Sequence, residues 1–150
     1  MIEIHLDNVS GVGVPEEALF RQWADAAAPE GETGVSIRIV DETESAEFNQ
    51  TYRHKVGPTN VLSFPCELPE GVPNDWLGDL VICASVVERE AREQGKSSAS
   101  HWAHMVIHGL LHLQGYDHIE ASEAEAMESR EIAILDWLGY PNPYEEALPS

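Results

Sequence analysis

HWAHMVIHGLLHLQGYDH, His101 to His118, holds five of the chain's seven histidines. From about Ala99 to Leu113 the pattern is helical, and Gly115 is a candidate for the left-handed residue that ends the helix. At about 100° per residue, His108 and His112 lie roughly 40° apart on one face, a single turn from each other. Their side chains can meet one ion. Beyond Gly115, Tyr116 and Asp117 turn the chain so that His118 reaches the same point. Three neutral imidazoles with one open position form the ligand set of a catalytic zinc, whereas structural sites close all four positions, usually with cysteine. His108, His112 and His118 are therefore expected to hold one Zn²⁺ ion per chain. His104 sits on the same stripe one turn earlier and His101 farther back. For both, hydrogen bonding behind the ligands or plain packing is expected rather than ligation. Asp117 either orients an imidazole and assists proton transfer, or only forms the turn.

The metzincin proteases, with H-E-x-x-H-x-x-G-x-x-H, space their histidines and glycine as HGLLHLQGYDH does at His108, His112, Gly115 and His118. One difference decides the chemistry. The glutamate that serves those proteases as general base is replaced by Gly109. The spacing argues for the metal and against proteolysis.

Outward from this helix, strands and helices alternate irregularly. Ile2, Ile4 and Leu6 alternate with Glu3, His5 and Asp7, and Val35, Ile37 and Ile39 repeat the pattern, so both segments read as half-buried strands. Pro15, Glu16 and Glu17 open a helix that runs to about Ala28. Asp41 is an N-cap for a short helix reaching about Tyr52. Arg53 to Asn60 reads as a loop, Val61 to Phe64 as a short strand and Glu67 to Asp75 as a surface loop. Leu77 to Cys83 is almost continuously apolar and is expected to be a central strand. Ser85 to Gln94 and about Glu120 to Leu138 complete the helices, the last with Ala124, Met127, Ile134, Leu135 and Leu138 near one face. The expected fold is α+β: a small mixed sheet of about four strands covered by helices, with a zincin-like metal-site helix. At 150 residues, a single metal-dependent hydrolase domain spanning 1–150 is expected.

Composition narrows the function. Eight Lys and Arg stand against 27 Asp and Glu, a net charge of −19. Such a surface repels polyanions at long range, so simple wrapping of nucleic acid is disfavoured. Activity on nucleic acid needs a local exception, a metal cation or a basic partner. The N-terminal MIEIHLDNVS has neither a basic n-region nor a long apolar stretch, so it is not read as a signal peptide, and no segment is long enough to span a bilayer. Cys66 and Cys83, without a CxxC pattern, read as thiols in a reducing cytoplasm.

A zinc ion supplies one local exception, being a concentrated positive charge able to hold a phosphate. Arg53, His54 and Lys55 supply another. Arg53 can clamp a phosphate bidentately and stabilise transition-state charge, or these cations are simply solvated. Asp79, in an otherwise apolar strand, needs a partner if buried. It either supports the site or lies at an edge.

HWAHMVIHGLLHLQGYDH resembles the signature of the YbeY family of bacterial endoribonucleases. FNQTYRHKVGPTNVLSFP, Phe48 to Pro65, and LGDLVIC, Leu77 to Cys83, resemble its other motifs in matching order. Val56 departs, standing where family members often carry an acidic residue. The resemblance implies a metal-dependent, single-strand-specific endoribonuclease acting in ribosomal RNA maturation, notably at the small-subunit 3′ end, and in ribosome quality control. It implies zinc on His108, His112 and His118, a functional Arg53, and contacts with a small-subunit ribosomal protein and the Era GTPase. With His112 a ligand, Arg53 and His112 are the expected catalytic residues. The alternative is a non-catalytic ribosome-assembly factor with a structural metal; a metallopeptidase is disfavoured by Gly109.

Overall fold

Leu80, Val81, Ile82 and Cys83 are all buried, so the strand that carries them must be covered on both faces and paired on both edges. In the structure, a computed structural model describing residues 2–29, 33–66, 76–116 and 121–144, that strand is β4, Gly78–Cys83. It lies inside a four-stranded sheet of order β1-β2-β4-β3. β1 (Ile2–Asn8) runs parallel to β2 (Thr33–Val40), and β2 parallel to β4, while β3 (Val61–Pro65) returns antiparallel as an edge strand. The mixed α+β sheet expected from the sequence is present. The surface loop expected at residues 67–75 lies outside the described residues.

Among the described residues, five α-helices accompany the sheet: α1 (Glu17–Ala27), α2 (Glu42–Phe48), α3 (Ala84–Glu93), α4 (Ser98–Leu113) and α5 (Ala121–Leu138). α4 is buried nearly all round, from Ser100 through Ile107 and on to Leu113, as a helix with apolar residues on every side must be. One sheet face, with Val35, Ile37, Ile39, Leu80 and Ile82, packs into the same cluster as Trp102, Val106 and Leu110 of α4. Phe20 of α1 meets Trp102 edge to face at 5.7 Å. Two glutamates of α3 anchor α4: Glu88 accepts from the Trp102 indole at 2.8 Å, and Glu90 pairs with His101 at 3.0 Å. The opposite sheet face holds a smaller cluster of Val40, Leu62, Val81, Cys83 and Val86.

Both ends of α4 are closed by local hydrogen bonds. The Ser97 hydroxyl accepts from the Ser100 amide at 3.1 Å. At the other end Gly115 takes φ +99°, its amide donates to His112 and that of Tyr116 donates to Leu111. These are the two bonds of a Schellman motif, which a glycine makes cheaply.

Gly109 explains itself by contact. A Cβ there would come within 2.7 Å and 3.1 Å of the two methyls of Leu80, which is fully buried. The helix approaches β4 through this glycine, so the protease glutamate has no room at this position. Gly109→Ala gains about 1 kcal/mol of helix propensity but overpacks the contact at a cost of about 1–3 kcal/mol. A net loss near 1 kcal/mol is expected, read as a Tm lowered by about 2–4 °C in a thermal melt.

The helix opened by Asp41 ends differently from its expected course. Asp41 does cap it, accepting from the Glu44 amide at 2.9 Å. After Phe48, however, the chain widens into a π-helical turn at Asn49–Arg53, which makes Arg53 the last residue of a helical turn rather than the first of a loop. The buried Asn49 donates its side-chain amide to Gly57 at 2.9 Å and draws the following loop back onto the turn.

Candidate active site

A cavity of about 760 Å³ opens where the C-terminal half of α4 meets the edge strand β3 and the π-helical turn. His108 and His112 line it from the helix, Arg53 and Lys55 from the turn and its loop, and Ser63 from β3. The described lining therefore holds two cations and two histidines and no carboxylate. On a chain of net charge −19, this is a local reversal of sign.

The two imidazoles stand as the one-turn spacing requires, their ring centres 4.7 Å apart and their planes at 78°. His108 is held from behind. Its Nδ1 lies 2.5 Å from Oε1 of Glu131, a residue of α5 with no exposed surface. His108 lines the cavity while Glu131 engages its Nδ1. The second oxygen of Glu131 accepts from the Tyr144 hydroxyl and faces Nε2 of His104 at 3.3 Å.

Charge states follow from this network. Burial pushes the Glu131 carboxyl upward, but hydrogen bonds from His104, His108 and Tyr144 outweigh it and hold the group at about 2. Burial lowers the pKa of His104, favouring its neutral ring, although the bond to Glu131 acts the other way. Burial and the bond to the Glu131 anion both push Tyr144 up, so it stays a donor.

His104, His108 and Glu131 place one ligand atom each within 4.8 Å of one another, so this group can hold a metal ion. The donor set fits a divalent cation of zinc type: imidazole nitrogens with a carboxylate. His118 and Asp117, singled out in the sequence, lie outside the described residues. His101 is buried against Glu90 and takes no part in the cavity. Asp79 lies on the wrong face for it. Leu80 contacts α4 at Gly109, so its neighbour Asp79 projects to the opposite side of β4, where it is exposed.

Arg53 reaches the cavity by backbone rather than by chance. Its Nη2 donates to the Ser63 carbonyl at 3.0 Å. The next residue, His54, closes the turn in the left-handed region at φ 57° with its amide on Asn49. Ser45 pins the far end of the loop, exchanging hydrogen bonds with the Thr59 amide at 3.0 Å and carbonyl at 3.1 Å. A guanidinium and two imidazoles thus face one space across an edge strand.

Sequence reasoning missed Glu131 and Tyr144. Glu131 is four residues from both Met127 and Leu135, so it falls on the buried stripe of α5, and an acid on such a stripe was the available signal.

Fold and cavity together define an α+β protein whose core helix presents a histidine pair to a basic cleft. Residues 14–139 match the family described as Endoribonuclease YbeY. Over 149 residues the chain is 65% identical to Endoribonuclease YbeY of Methylococcus capsulatus, covering 99% of each. It is 52% identical to the Pseudomonas putida protein of the same name, over 97% of this chain and 95% of the relative. The solution structure of TM1509 from Thermotoga maritima superposes with a TM-score of 0.58 at 30% identity, covering 100% of this chain and 99% of that one. The chain belongs to the YbeY endoribonuclease family.

Proposed function

We propose that the protein is a zinc-dependent endoribonuclease that cuts single-stranded RNA at this cleft, acting in ribosomal RNA maturation and ribosome quality control. The observation that carries the reading is the cleft's charge. Arg53, Lys55 and two histidines face one space with no carboxylate among the described lining residues, on a surface that otherwise repels RNA. Zinc ligation falls to His108 and His112, with His118 as the third ligand, and Glu131 serves as the carboxylate behind His108. Glu131 is fully buried on α5 and meets His108 at Nδ1, which suits a carboxylate that braces the ring from behind.

Bound there, zinc supplies Lewis-acid charge for a phosphodiester oxygen. The chain supplies the rest. Arg53 donates to phosphate oxygens from the π-helical turn and stabilises charge gathered in the transition state, and the Ser63 carbonyl fixes its direction. Glu131 holds the His108 ring in the tautomer that presents a lone pair to the cleft. The cytoplasm, a basic small-subunit ribosomal protein and the Era GTPase belong to the same proposal, and an acidic exterior suits a basic partner.

The direct test strips the protein of metal, restores zinc, and follows cleavage of single-stranded and duplex RNA beside a peptide library. Cleavage of single-stranded RNA that disappears and returns with the metal supports the reading. Metal-dependent cutting of peptides instead would replace it. Glu131→Gln keeps the side chain's size and removes the anion. Its zinc affinity, measured by chelator competition, is expected to fall about 10–100-fold, and an unchanged affinity would remove the positioning role from Glu131.

A further inference from the structure

Across β3 from the cleft lies a second cavity, of about 390 Å³, on the sheet face turned away from α4. Ser36 and Arg38 of β2, Asp79 of β4, Phe64 of β3, Phe48 and Tyr52 line it. Tyr52 is held between two rings, stacked on Phe48 at 5.9 Å and 23° and edge-on to Phe64 at 5.1 Å and 72°. It is nevertheless 57% exposed. An aromatic ring fixed from behind and open to water is the platform on which single-stranded bases stack.

The polar groups of this cavity select what stacks there. The Asp79 carboxylate is exposed, and when ionised it only accepts. Arg38 is already committed, with Nε and Nη2 on Glu44 and Nη1 on Asp7. Its charge is spent within the protein, so the cavity favours an uncharged ring with donors over a phosphate. Guanine alone among the four bases carries two adjacent donors, N1–H and the N2 amino group, which match both oxygens of one carboxylate. Ser36, the register partner of Asp79, is a hydroxyl able to donate to an acceptor on the same base.

Continuity with the cleft comes from chain order. Tyr52 and Arg53 are consecutive, as are Phe64 and Ser63, and each pair is split between the two cavities. One edge strand separates them, and strands in a sheet are spaced about 4.8 Å apart. A strand of RNA held at its phosphate by Arg53 needs only to cross the edge of β3 to lay a neighbouring base on Tyr52.

We propose that Tyr52, Asp79 and Ser36 form a guanine-selective base subsite for the RNA strand occupying the cleft. The proposal rests on the nuclease reading given above and adds a sequence preference to it.

The test uses the zinc-loaded full chain and uridine oligomers carrying one guanosine, moved a position at a time. Cuts are expected to follow the guanosine at a fixed offset, about tenfold faster than in the all-uridine strand. Asp79→Asn is expected to bring that ratio close to one. Tyr52→Ala should raise KM for the guanosine strand about tenfold, with kcat moved far less, and Tyr52→Phe should restore it. Thermal melts of the three variants check the fold. A second arm needs no cleavage: 5′-GMP, but not 5′-UMP, should shift the Tyr52 ring resonances, and Asp79→Asn should abolish the shift. RNA cut without regard to guanosine, together with no 5′-GMP shift, overturns the subsite and leaves the nuclease reading standing. An equal or larger rate gain when adenosine or cytidine replaces that guanosine overturns the guanine assignment. No cleavage of any RNA, with the 5′-GMP shift intact, supports the subsite and overturns the nuclease reading.

Discussion

His112→Ala is expected to purify without zinc and to cut single-stranded RNA at most about a thousandth as fast as the parent, because the metal's activation of the reaction is lost with it. Ligand count decides the outcome. Three imidazoles are the minimum that fixes zinc and leaves a position for substrate, and two can neither hold it tightly nor direct its vacancy. The fold should survive the change. His112 is half-buried in the last turn of α4, and alanine is the best helix former. Unfolding of the metal-free variant should therefore match the metal-free parent within about 1 kcal/mol. What disappears is the response to zinc. A ligand present at 100 times its Kd stabilises the folded state by about 2.7 kcal/mol, and the variant should show no such shift. Metal analysis, a melt with and without zinc and a cleavage assay on one preparation decide the matter. Full RNase activity in a carefully purified, metal-free variant would refute the catalytic metal.

The parts of this molecule legible from sequence are those governed by local periodicity. α4 could be placed because its histidines recur at helical spacing, and its end because Gly115 there adopts φ +99° at no cost. β4 could be placed centrally because Leu80 to Cys83 are apolar without alternation. What escaped depends on contacts between distant segments. The π-helical turn is stabilised by Asn49 reaching Gly57, and nothing in its composition sets it apart from an α-helix. Glu131 meets His108 across 23 positions of sequence, so neither residue alone announces the other. For Asp79 the strand was right, but β4 lies inside the sheet rather than at its edge, and Asp79 is exposed on the face turned away from α4. A central strand buried on both sides gives no alternation from which to read the phase, and only the contact of Leu80 with Gly109 fixes it. The replacement of the protease glutamate by Gly109 was visible as chemistry before its steric cause was.

Arg53→Ala separates catalysis from assembly. The side chain is exposed and makes one described hydrogen bond, to the Ser63 carbonyl on an edge strand, where water can replace it. Stability should change by no more than about 0.5 kcal/mol, and zinc content not at all, because a guanidinium, always protonated and without an acceptor, is no metal ligand. Cleavage should fall about 10²–10³-fold in kcat, the usual loss when one donor aimed at transition-state charge is removed. Arg53→Lys should recover only part of this. An ammonium restores the charge but not the planar fork that engages two phosphate oxygens at once. A structural-metal assembly factor predicts otherwise: Arg53→Ala would then leave ribosome maturation intact in cells so long as fold and partner binding persist. Measuring kcat in vitro and ribosomal RNA 3′ ends in cells on the same variant sets the two accounts against each other. Unprocessed ends accumulating beside a folded, zinc-loaded Arg53→Ala protein are the expected result, while normal processing would leave the cleft without a catalytic role.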